Sequence, residues 1–169
     1  DGISDGDEID LGLDPNNSDS DADGMPDGWE SYFNFSSPQD YALDPANPND
    51  ALEDPDEDGL TNYQEFISNS KPNDSDSDDD GLSDFEEVNR AEGSTKPNNP
   101  DTDLDLLKDS WEDKFDGFDP LVAERDKAFA NDDADSFVNA DESKHGCDPT
   151  KEDSDDDGIN DDVEVNTYK

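Results

Sequence analysis

The sequence predicts a small, irregular repeat array: consecutive acidic loops, each followed by a short helix, with little or no sheet and an elongated form. Three observations predict it. An acid-rich twelve-residue pattern recurs seven times, its starts are spaced on a basic step of 22 residues, and apolar residues make up only 27% of the chain. That apolar content is too small for one globular core, so any fold must be stapled locally.

The pattern is clearest at Asp76-Ser-Asp78-Asp-Asp80-Gly81-Leu82-Ser-Asp84-Phe-Glu-Glu87. With Asp76 as position one, acids stand at one, three, five, nine and twelve, glycine at six and an aliphatic residue at seven. This is the oxygen-ligand spacing of a calcium loop. A hard cation takes six to eight oxygens, and alternate residues of a curled loop aim short carboxylates inward. Glycine at six permits a backbone that other residues resist. The longer glutamate at twelve can reach back with both oxygens, and the carbonyl of position seven, here Leu82, adds another ligand.

The frame returns as Asp19, Asp21, Asp23, Met25, Asp27 and Glu30, and as Asp54, Asp56, Asp58, Leu60, Asn62 and Glu65. It appears again as Asp153, Asp155, Asp157, Ile159, Asp161 and Glu164. Two looser copies are Asp101, Asp103, Asp105, Leu107, Asp109 and Glu112, then Asn131, Asp133, Asp135, Phe137, Asn139 and Glu142. The chain opens inside a further copy, with Asp1 at five, Gly2 at six, Ile3 at seven, Asp5 at nine and Glu8 at twelve. Position seven is apolar in all seven copies, which an unstructured acidic tail would not produce. In the fifth and sixth copies Leu106 and Ser136 replace the glycine, and holding them at positive φ costs roughly 1 kcal/mol or more. Asn131 and Asn139 also remove two charges from the sixth, which is expected to bind most weakly. The first lacks positions one and three and is expected to be the least complete.

The formal net charge is −43 over 169 residues, with 53 acids against ten Lys and Arg. Such a composition ordinarily reads as disorder. Here 30 of the 53 acids fall on ligand positions of the seven loops, so cations should remove much of the self-repulsion and provide the folding energy. Several ions are expected, about one per complete loop. Nucleic acid and anionic membranes are poor partners for this charge, and no apolar stretch is long enough to span a membrane. Loops so rich in carboxylate suit an extracellular setting, where modules bind calcium at roughly 10⁻⁴–10⁻³ M.

Loop starts divide the chain into units at 1–18, 19–53, 54–75, 76–100, 101–130, 131–152 and 153–169. The chain begins and ends partway through a unit, as expected of a segment of a longer array whose neighbouring repeats are its first partners. After each loop a helix of about two turns is expected, with Asp84 as N-cap and Glu87 three residues on. A proline turn then stops it: Leu13-Asp14-Pro15, Leu43-Asp44-Pro45, Lys71-Pro72, Lys96-Pro97 and Cys147-Asp148-Pro149. No helix enters the loop, which separates the pattern from an EF-hand.

These residues resemble the thrombospondin type 3 repeats of microbial surface and secreted proteins: Asp-x-Asp-x-Asp-Gly-Leu-x-Asp-x-x-Glu with a following Asp-Pro turn. The resemblance implies a calcium-filled, elongated array in which metal replaces a hydrophobic core, with the residues quoted above as ligands. It also implies that Asp14, Asp44 and Asp148 could bridge between units. Animal members add disulfides; this chain, with one cysteine, departs from that pattern.

Trp29, Tyr32, Phe33, Phe35 and Tyr41 form an aromatic insertion, read either as a satellite core or as a patch for self-assembly or partner binding. Trp111, Phe115, Phe118, Phe129 and Phe137 form a second cluster, and the two Trp share loop position eleven. Asp119-Pro120 followed by residues 121–130 predicts one ordinary helix with an Asp N-cap. His145 and Cys147 fall short of the ligand count for a tetrahedral metal site. Asn16, Asn34 and Asn73 begin Asn-x-Ser sequons. With one histidine and no phosphate-binding glycine loop, no catalytic constellation is found. The reading is a calcium-rigidified extracellular stalk, spacer or fibre unit of a surface, adhesive or matrix protein. Its rivals are a dockerin-like or other calcium-dependent protein-binding module, an EF-hand sensor, and a linker of a secreted enzyme.

Overall fold

The computed structural model describes residues 2–36, 43–133 and 135–167, and all their side chains except those of Phe35 and Ser36. Asp1, Tyr41 and the side chain of Phe35 therefore lie outside the described residues. Among those residues the secondary structure is helical, with no strand. Seven helices each begin at position nine of an acidic loop: α1 (Asp5–Leu11), α2 (Asp27–Ser36), α3 (Asn62–Ser68), α4 (Asp84–Val88), α5 (Asp109–Lys114), α7 (Asn139–His145) and α8 (Asp161–Thr167). A short α6 (Arg125–Ala128) and a 3-10 turn (Asp50–Leu52) are additions to that rhythm.

Helix starts follow from position eight, which is extended and acts as N-cap. Ser4 accepts from the Asp7 N–H, and Thr61 forms a capping box with Gln64. The N-cap is therefore one residue earlier than the sequence suggested, and Asp84 is the first helical residue. The position-nine N–H donates across the loop to the carbonyl preceding position one, as from Asp27 to Ser18 (3.0 Å) and from Asn62 to Glu53 (2.9 Å). The same bond runs from Asp109 to Pro100 (3.1 Å), Asn139 to Ala130 (2.9 Å) and Asp161 to Glu152 (2.9 Å). Left-handed caps at Gly12, Asn69 and Gly146 end α1, α3 and α7 after about two turns.

The helix expected over 121–130 is confined to Arg125–Ala128. Asp119 accepts from the Leu121 N–H (3.1 Å) and closes a turn instead of capping a helix. The Glu124 N–H is taken by Asp105 Oδ2 at 2.7 Å, which pins the backbone before the helix can start.

The chain divides into two units, Asp1–Ser77 with Ser83–Phe85, and Asp78–Leu82 with Glu86–Lys169. In the first, Met25, Leu43 and Ala51 are buried under Trp29, Phe33 and Phe66, while Tyr32 is 65% exposed. In the second, Leu107, Trp111 and Ala128 are buried with Phe115, Phe118 and Ala140 against them. Both tryptophans pack on the phenylalanine four residues on, with centroids 4.9 Å apart for Trp29–Phe33 and 5.1 Å for Trp111–Phe115. The shared loop position thus carries a shared packing.

Within each unit, position six of one loop lies against position ten of the next. A Cβ on Gly24 would come within 2.7 Å of Tyr63, one on Gly59 within 3.1 Å of Phe85, and one on Gly81 within 3.8 Å of Ser110. The Ser136 hydroxyl, at position six of the sixth loop, donates to Asp162 at position ten of the seventh. Backbone bonds follow the same register: Asp58 Oδ2 accepts the Phe85 N–H (2.9 Å), and Asp80 Oδ2 accepts the Ser110 N–H (3.0 Å).

Candidate metal centres

Each acidic loop is wound by its own carboxylates. In the second loop Asp19 accepts the N–H groups of Ala22 (2.8 Å) and Gly24 (3.1 Å), Asp21 that of Asp23 (3.2 Å), and Asp23 that of Met25 (2.8 Å). The third loop repeats this through Asp54, Asp56 and Asp58, and the fifth through Asp101, Asp103 and Asp105. Position four is left-handed as well as position six: Ala22, Glu57, Asp79, Leu104 and Asp156 have φ between 59° and 66°. This requirement was not visible in the sequence, because no glycine marks it. Leu106 is held at φ 91°, as its position predicts. Ser136 is not at positive φ; in that loop the Asn131 amide donates to the Asp135 carbonyl (2.9 Å) and the curl closes differently.

At Asp21, Asp23, Asp56, Asp103, Asp133 and Asp135 bracing uses Oδ1 alone and leaves a buried Oδ2 without a donor among the described residues. Asp19, Asp21 and Asp23 bring ligand atoms within 4.8 Å of one another, as do Asp54, Asp56 and Asp58, and Asp101, Asp103 and Asp105. The position-twelve side chains Glu30, Glu65, Glu87, Glu112 and Glu142 are all buried, and both oxygens of each lack a hydrogen-bond donor among the described residues. Buried donor-less oxygens also sit on Asp21, Asp23, Asp54, Asp56, Asp103, Asp133 and Asp135. A buried carboxylate left in this state costs several kcal/mol.

Electrostatics report the same frustration. Burial, followed by the negative field of the loop aspartates, pushes Glu30, Glu65 and Glu112 up to about 9. Glu142 rises to about 8 for the same reasons. Glu87 also rises to about 8, again chiefly through burial. The largest Coulomb contributions come from positions three and five of the same loop, so position twelve faces them. Convergent oxygens with no donor, repelling one another, fit a hard divalent cation and fit nothing else on the chain. The carbonyls of Met25, Leu60, Leu107 and Phe137 belong to buried residues of the same loops; Leu82 and Ile159 are half-buried.

Position nine is also tied to position two. The Asp27 carboxylate accepts the N–H and hydroxyl of Ser20 at position two, both at 2.8 Å. Asp84 does the same with Ser77 (2.8 and 2.7 Å) and Asp161 with Ser154 (2.9 and 2.7 Å), while Asp109 takes the Thr102 N–H (2.9 Å). Where position two is acidic, position nine is an amide: Asn139 donates to Asp132 (3.1 Å). The position-two hydroxyl also accepts an N–H from the proline turn, as from Lys71 to Ser77 (2.7 Å) and Asp148 to Ser154 (2.7 Å). Sequence reasoning missed this brace, although the pairing of Ser or Thr with Asp, and of Asp with Asn, was readable.

Asp50 was missed altogether. It is buried, groups with Asp23 and Glu30 within 4.8 Å, and keeps Oδ1 without a donor. Its other oxygen accepts the Asp44 N–H (2.8 Å), so Asp50 occupies the place that position-two serines take elsewhere. The turn aspartates close their own turns: Asp14 accepts from Asn16, Asp44 from Ala46 and Asp148 from Thr150. The seventh loop is more open, with Asp155 and Asp157 exposed and Glu164 half-buried. In the fourth loop Asp76 and Asp84 belong to the first unit, and Asp78, Asp80 and Glu87 to the second. In the first, Glu8 is buried with one oxygen lacking a donor. His145 is exposed and stacked on Phe137, whereas the buried Cys147 thiol is pushed up to about 12 by burial and the adjoining acids, so it stays protonated.

The family model for bacterial TSP3 repeats matches residues 1–18. The model described as the clostridial binary toxin B/anthrax toxin PA Ca-binding domain matches residues 18–99 and 152–169. No curated protein and no solved structure matches the chain. Because those two spans cover more than half of the chain and hold four of the loops, this protein belongs to the family of the clostridial binary toxin B and anthrax toxin PA calcium-binding domain.

Proposed function

We propose that this chain is an extracellular structural segment, a stalk or spacer of a surface or secreted protein, given its shape by bound calcium. The observation that carries the reading is the set of buried carboxylate oxygens that lack a donor among the described residues. Positions one, three, five and twelve hold the ions through side chains, and position seven through its carbonyl. Position nine supports them by bracing position two, and Asp50 completes the second loop's set. Calcium binding stabilises the folded form by mass action: a site tenfold above its dissociation constant adds roughly 1.4 kcal/mol, and several sites add up. The units 1–18, 19–53, 54–75, 76–100, 101–130, 131–152 and 153–169 then form an elongated array.

The test is removal of calcium. Circular dichroism and small-angle scattering should change from an ordered form at millimolar calcium to an expanded coil in EGTA, while native mass spectrometry counts the ions. Unchanged spectra and an unchanged radius of gyration would overturn the proposal. The family match favours a second reading, in which the segment is part of a larger secreted toxin-type protein.

A further inference from the structure

The chain has 53 acids and ten Lys and Arg, so every lysine should find a carboxylate. Among the described residues most basic groups are held. Lys71 pairs with Asp74, Arg90 with Asp113, Lys127 with Glu124 and Lys151 with Asp156. Lys96 and Arg125 are bound to the carbonyls of Thr102 and Leu104. The remaining three, Lys108, Lys114 and Lys144, have no carboxylate within 4.0 Å, and all three line one cavity of about 390 Å³ in the second unit. His145 lines it too.

Random placement in so acidic a chain would not gather the unpaired lysines in one concavity. The acid in its wall, Asp80, has both oxygens engaged: Oδ1 accepts the Leu82 N–H (2.7 Å) and Oδ2 the Ser110 N–H (3.0 Å). Lys108 is fixed at the mouth of α5 by its own N–H bond to Ser143 on α7 (2.7 Å). Lys114 lies over the Phe115 ring, 4.9 Å from its centroid, at the cavity's edge. Flexible ammonium groups act as point charges that several oxygens of one compact oxyanion can share. A monocarboxylate has too few oxygens and too little charge to satisfy three lysines and to overcome the field of the surrounding acids. The volume admits a tetrahedral oxyanion together with a sugar-sized group.

We propose that this cavity binds a sulfate or phosphate ester group. Occupation is coupled to calcium, because Asp80 stands both in the cavity wall and at position five of the fourth loop. The test uses the calcium-loaded chain, with inorganic sulfate and a sulfated disaccharide as probes. Proton–nitrogen NMR follows the Trp111 indole and the amides of Lys108, Ser110 and Lys144. Saturable shifts confined to these residues are expected. A tighter response to the disaccharide identifies a glycan-borne ester, and an equal one a free anion; either supports the site. The double variant Lys114→Gln/Lys144→Gln, at two exposed positions, should weaken binding about tenfold. Lys71→Gln, at a paired lysine in the other unit, should leave it unchanged. Absence of saturation with either probe, or equal loss in the Lys71 variant, would overturn the proposal.

Discussion

The brace between positions two and nine permits a quantitative test at Ser77 and Asp84, both buried and both in the first unit. Ser77→Asp alone sets two carboxylates against each other where a hydroxyl now donates at 2.7 Å. At about 4 Å and an effective dielectric of 20, that repulsion is about 4 kcal/mol, and uptake of a proton lowers it to roughly 3. Asp84→Asn alone weakens two charge-assisted bonds and costs about 1–2 kcal/mol. The double variant recreates the pair seen at Asp132 and Asn139, and its aspartate can still accept the Lys71 N–H, as Asp50 accepts that of Asp44. It should lie within about 1 kcal/mol of the parent, a coupling of at least 2 kcal/mol. Urea unfolding in saturating calcium, followed by Trp29 fluorescence, measures all four species. If Ser77→Asp costs under 1 kcal/mol, or the double variant is no better than that single one, position nine is not a brace. A double variant that is stable yet loses a calcium ion would return Asp84 to the ligand set.

Three further outcomes are expected. Asp50→Asn removes a buried carboxylate from the second loop's cluster, so calcium titration should show weakening confined to one site, by roughly tenfold; an unchanged titration would exclude Asp50. Leu106→Gly relieves a side chain held at φ 91° and half-exposed, and should raise stability in calcium by about 1 kcal/mol in thermal melts; a loss would mean that the side chain packs. In the metal-free protein the position-twelve glutamates have folded pKa values raised to about 8–9 from an ordinary 4.5. Their contribution to folding is therefore complete below about pH 4.5 and lost as pH rises through 8–9. Acidification without calcium should increase helical circular dichroism, and calcium added at pH 7 without buffer should release protons. A metal-free chain that orders as pH rises would contradict this.

How much could be read in advance differs by residue. The convergence of the acids at one, three and five was legible because it is written at short range: alternate residues of one tight curl point the same way whatever surrounds them. A short helix after each loop was legible for the same reason, as capping involves only near neighbours. The shift of the N-cap from Asp84 to the preceding residue is a change in which donor the carboxylate serves. It accepts from Ser77, seven residues back, so it is not available to its own helix.

Sequence by itself determined the loop positions, the brevity of the helices and the inability of 27% apolar residues to make one core. Tertiary structure alone decided that Asp50 joins Asp23 and Glu30, that Asp105 takes the Glu124 N–H and shortens α6, and that Lys108, Lys114 and Lys144 share a cavity. The physical reason is range. A cation's demand for oxygens is met within twelve residues, whereas these three features join residues separated by insertions whose lengths follow no period.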